Sequence, residues 1–144
     1  MGEAAQERAA TREEISAMSS ILRDAVAAGA RGLSTSYLDV EENLKPVPSR
    51  YADLREKIAL AQTIREAGGA VLEAVPNAGS VEEMKVCIRE LGEISRASGL
   101  LCTLQPIVLI PTLPDLWKRS LDWISEEVER GAQLYGQSPV PPDP

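Results

Sequence analysis

Four times along this 144-residue chain, apolar residues at three- and four-residue steps follow a capping residue, run to a glycine and give way to a short apolar run. "TREEISAMSSILRDAVAA" puts Ile15, Met18, Leu22 and Val26 on one helical face, with Thr11 and Glu14 as a capping box and Gly29 as the stop. A strand is expected at about 32 to 36. Past the loop "LDVEENLKPVPSRY", Asp53 caps a second helix reaching Ala67, with Glu56 in the box position and Gly68-Gly69 as terminator. "AVLEAV", 70 to 75, is the next strand.

Ser80 with Glu83 opens a third helix to about Ala97, ended by Gly99, and "LLCTLQPIV" reads as a strand stopped by Pro106. Thr112 with Asp115 begins a fourth helix whose stripe is Leu116, Leu121, Ile124 and Val128. It closes at Gly131, and a fourth strand is expected at about 133 to 138 before a proline-rich tail, 137 to 144. The chain thus reads as a single α/β unit. Helix and strand in alternation demand parallel strands joined by crossover helices.

Two architectures satisfy that rule, a doubly wound sheet and an arc of a (β/α)8 barrel. Alternate residues of a strand share a face, so side-chain parity separates them. Ser34, Ser36, Glu73, Thr103, Gln105 and Gln137 fall on one parity; Leu33, Leu72, Ala74, Cys102, Leu104 and Leu134 fall on the other. A doubly wound sheet is apolar on both faces. The polar parity favours about four strands of a (β/α)8 TIM-barrel arc, incomplete by itself.

Composition removes several function classes. A net charge of -7, spread over helices of mixed sign, argues against nucleic acid and anionic membranes as partners. "MGEAAQERAATREE" has neither the basic start nor the apolar run of a signal peptide, and no stretch has the apolar length of a membrane span, so a cytoplasmic location is expected. There is no histidine, and the two cysteines, Cys87 and Cys102, fall on separate elements, so no zinc site is expected in the chain. No GxGxxG or GxxxxGK[ST] occurs.

"MGEAAQERAATREEISAMSSILRDAVAAGARGLSTS", "PVPSRYADLREKIALAQTIREAGGAVLEAVPN" and "GAQLYGQSPVP" together resemble the interior of D-aminoacylase-type amidohydrolases, the N-acyl-D-amino-acid deacylases. The most specific piece is Gly32-Leu33-Ser34-Thr35. The resemblance implies consecutive units of a metal-dependent barrel that hydrolyses a C–N bond, with zinc as the parent cofactor and a small-molecule substrate only when the whole barrel is present. It also implies missing regions: an upstream His-x-His and a downstream aspartate. Near the positions where such enzymes carry metal-binding histidines, this sequence has Ala74 and Leu104.

Glu73 is the strongest functional candidate, because a carboxylate inside a strand needs a partner or a task. Ser34, Thr35 and Ser36 line a mouth or satisfy local backbone, with the local role preferred. Gln105 and Gln137 sit at strand C-terminal ends, where barrel sites are built, and backbone hydrogen bonding is their alternative. Asn77 is expected to shape a turn, and Trp117 and Trp123 to pack. Two readings follow: an amidohydrolase segment inactive alone, or a non-catalytic α/β module completed by a partner or by self-association.

Overall fold

The structure, a computed structural model, describes residues 2–139. Helix α1, Arg12–Ala27, starts on the expected capping box, with both Thr11 and Glu14 bonds formed. Arg8 lies 2.7 Å from Glu14; its hydrogen bond, joined by the Thr11 backbone N–H, pulls the Glu14 carboxyl down to about 2. Strand β1 is Gly32–Ser36, α2 is Leu54–Glu66 and β2 is Val71–Val75. Helix α3, Val81–Ser98, starts on Ser80 and ends on Gly99, whose φ of 68° is the left-handed conformation that glycine adopts without strain. Strand β3 is Leu101–Leu104, α4 is Leu116–Glu129 and β4 is Leu134–Gly136.

Two boundaries differ from expectation. Asp53 does cap α2 through the Glu56 N–H at 2.8 Å, but Glu56 does not complete the box. Its carboxylate instead accepts from the Ala10 N–H at 3.0 Å, tying down the segment before α1. Helix α4 begins at Leu116 rather than Thr112. Pro114 lacks an N–H and holds Leu113 out of the helical region, so residues 110 to 115 form turns and the Asp115 side chain makes no cap bond.

All four strands are parallel and in chain order, β1-β2-β3-β4. The register aligns Leu33, Leu72, Cys102 and Leu134 in one row and Ser34, Glu73, Thr103 and Tyr135 in the next. The helices form one layer, each packed on its neighbour in sequence. Ile64, Ile88, Leu91 and Ile94 reach from that layer onto Leu72, Ala74, Cys102, Leu104 and Leu134, all of them at most 1% exposed. One face of the sheet is therefore the core, and the parity argument for a barrel arc holds.

The fourth helix is rotated from its expected stripe. Leu121 and Val128 are 44% and 47% exposed, while Leu116, Ser120, Trp123, Ile124 and Glu127 are buried. A charged residue inside the stripe is the reason. Glu127 is held by Arg96 of α3 and, at 2.9 Å, by Arg130, and its side chain lies on the bare backbone of Gly92. Gln137, expected to begin the tail, is bonded into the sheet through Leu104 O at 2.9 Å; residues 140–144 of that tail lie outside the described residues.

Candidate functional site

The uncovered face of the sheet carries a polar row. Ser34 Oγ donates to Glu73 Oε2 at 2.7 Å, across the β1–β2 seam that the register sets. One strand further on, Gln137 Nε2 donates to Thr103 Oγ1 at 2.9 Å. Glu73 Oε1 is shielded from solvent and has no hydrogen-bond partner. Leaving a buried acceptor unmatched costs about 1 to 3 kcal/mol, more when charged, so this oxygen favours an incoming N–H or O–H.

Of the residues read as site candidates, Ser34, Glu73 and Gln137 share this face, joined by Thr103 and Tyr135. Tyr135 was missed because its strand is only three residues long, although its parity matched Gln137. Gln105 is exposed at the end of β3, before a cis peptide bond to Pro106, and its backbone N–H donates to Ala74 O at 3.0 Å. Ser36 takes the local role: it is buried, and its hydroxyl accepts the N–H groups of Leu38 and Asp39, so it builds the turn after β1. Thr35 points the other way, into a cavity of about 210 Å³ on the helix side, beside Met18, Leu33, Leu60, Leu72 and Ile94. Ser34, the β1 member of the polar row, also lines that cavity.

Asn77 shapes the turn after β2, accepting the Gly79 N–H at 3.1 Å and donating to Glu83. Ala74 and Leu104 are aligned in the register, fully buried, and face the helices. Side chains there cannot reach the open face. The donor set on that face is one carboxylate, hydroxyls and an amide, and among the described residues no cluster of three or more His, Cys, Asp or Glu side chains forms. These residues do not fit a zinc centre, which takes at least three histidine, cysteine or carboxylate ligands from the protein. Both thiols are on the core side, where burial pushes each up to about 12.

No family profile matches the chain, and no curated protein does. Among solved structures, a D-aminoacylase mutant in complex with copper chloride superposes with a TM-score of 0.77 at 23% identity. The match covers 97% of this chain and 27% of that one. The fold is thus an α/β arc like part of the D-aminoacylase barrel, and the chain spans about a quarter of that protein's length. No helix of the described residues is long and apolar enough to cross a membrane.

Proposed function

We propose that this chain is a wall of an amidohydrolase-type barrel that binds an N-acylated amino acid or a related amide, and that it is inactive alone. The observation that carries this reading is the polar row Ser34–Glu73–Thr103–Gln137, on the uncovered face of an arc that superposes on a D-aminoacylase. Barrel enzymes place their chemistry at the C-terminal ends of the strands, and residues 103 and 137 lie there. Glu73 Oε1 supplies an acceptor for a substrate N–H. The Gln137 amide and Thr103 hydroxyl supply neutral groups for an acyl oxygen. We assign the row to binding rather than to bond cleavage: its one hydroxyl–carboxylate pair, Ser34–Glu73, is held as a hydrogen bond across the β1–β2 seam, and Glu73 Oε1 is left to accept from the ligand.

Two assays test it. The isolated chain should release no amino acid from N-acetyl-D-amino acids, with or without added zinc. A chimera carrying residues 2–139 in place of the matched span of D-aminoacylase should fold and bind such a ligand. Glu73→Ala in that chimera should weaken binding roughly tenfold or more, the worth of a hydrogen bond to a charged group. Hydrolysis by the isolated chain, or unchanged binding in the Glu73→Ala chimera, refutes the reading.

A further inference from the structure

The helix layer ends in two flanks that match one another. At about 100° per residue, α4 presents Trp117, Leu121 and Val128 on the side away from α3. Leu121 and Val128 are largely exposed, and Leu109, 67% exposed, extends the patch beside a cavity of about 310 Å³ that also takes in Trp117 and Leu121. On α1, the side away from α2 carries Ala17, Ile21 and Ala25, with Ile21 68% exposed. The α4 stripe contains no charged residue and the α1 stripe only Glu14, at its first turn and paired with Arg8, whereas Lys118, Asp122, Glu126 and Glu129 occupy the outer side of α4. One flank is bulky and the other is small. Their shapes and polarity suit each other better than either suits water.

The sheet edges obey the same logic. At the internal seams, the earlier strand bonds through its helix-facing residues and the later one through its open-face residues: Tyr37 N–H to Val75 O, Gln105 N–H to Ala74 O, and Gln137 N–H to Leu104 O. At the free edges this leaves Leu134 and Gly136 outward on β4 and Gly32 and Ser34 outward on β1. Ser49 closes the remaining position by bonding both backbone groups of Ser36. A β4 edge meeting a β1 edge would repeat the internal pattern. So would α4 meeting α1.

We infer that two copies of this chain associate head to tail, α4 and β4 of each against α1 and β1 of the other, as a closed two-fold dimer of eight parallel strands. Four helix–strand units are half of the ring that parallel strands close. Two identical seams leave no unpaired edge, which removes the liability that edge strands carry. The polar rows of both copies then face one interior. This inference needs only the fold and stands whether or not the amide-binding reading does.

Native mass spectrometry and sedimentation of the 144-residue chain test it, together with two flank variants. The wild type should have twice the chain mass of 15.5 kDa, with no higher species. Leu121→Asp/Val128→Asp on α4 and Ile21→Asp on α1 change exposed residues, so each should keep the wild-type circular dichroism and melt as a folded monomer. Mixing the two variants restores one intact seam, so heterodimer should form where neither variant dimerises alone. A wild-type monomer at every concentration reached, a ladder of growing oligomers, dimers that survive both sets of substitutions, or no heterodimer on mixing would each overturn the inference.

Discussion

Gly92→Ala is expected to destabilise the chain, against the ordinary rule for a helix interior. Alanine in place of glycine normally stabilises a helix by about 1 kcal/mol. Here an added Cβ would come within 2.8 Å of both Glu127 Cγ and Cδ, and closer still to Oε2. Glu127 cannot swing aside cheaply, because it is 1% exposed and bound to Arg96 and Arg130. Overpacking costs about 1 to 3 kcal/mol. Breaking a buried pair costs about 3 to 5 kcal/mol. Arg130, 55% exposed, adds little, so Arg96 carries most of that second figure. Partial loss of the pair with mild overpacking, less the propensity gain, leaves roughly 2 to 4 kcal/mol of destabilisation. Urea melts with an unchanged slope measure it. Glu127→Ala alone should also destabilise, and the double variant should be more stable than the sum of the two losses predicts, because the alanine methyl then has room. A Gly92→Ala protein as stable as the wild type would show that Glu127 is not locked between the helices.

Lys57 is buried on α2 beside Glu90 at 2.7 Å, with its ammonium 4.1 Å from the Tyr37 ring centroid. Lys57→Ala should cost roughly 3 kcal/mol by stranding Glu90, and Glu90→Ala should cost a similar amount; a loss below about 1 kcal/mol in both would mark the pair as solvent-screened. The thiols of Cys87 and Cys102, raised by burial from 9.0 to about 12, should resist aromatic disulfide reagents at pH 8 in the folded protein and react at once in urea. Because the folded-state value is the higher one, their contribution to stability is complete below pH 9 and is lost between pH 9 and 12; a flat stability profile across that window would contradict their burial.

Local signals in the chain located most of the elements, and long-range pairing accounts for what they missed. Thr11, Asp53 and Ser80 announce helix starts because an N-cap acts within its own turn. Gly29, Gly68, Gly99 and Gly131 all have positive φ, so the stops were legible too. Strand parity placed Ser34, Glu73 and Gln137 on one face. Glu127 was not legible, because a glutamate in a charged stretch reads as solvated until a glycine and an arginine on another helix are brought against it. Its burial displaced Leu121 and Val128 from the core. Glu56 was misplaced for the same reason, its partner Ala10 lying 46 residues away. Ser36 shared the parity of the site, but the backbone after β1 claimed its hydroxyl.

The central claim is that helices cover one face of the sheet and leave the row through Glu73 and Thr103 free of them. Methyl-resolved nuclear Overhauser spectroscopy on the intact chain tests it directly. The account predicts contacts from Leu72, Ala74 and Leu104 to Ile64, Ile88, Leu91 and Ile94. It predicts that the Thr103 methyl meets strand neighbours and Gln137 but no helix methyl. Contacts between Thr103 and methyl groups of any of the four helices would mean a sheet covered on both faces, and the barrel arc with its open polar row would be wrong.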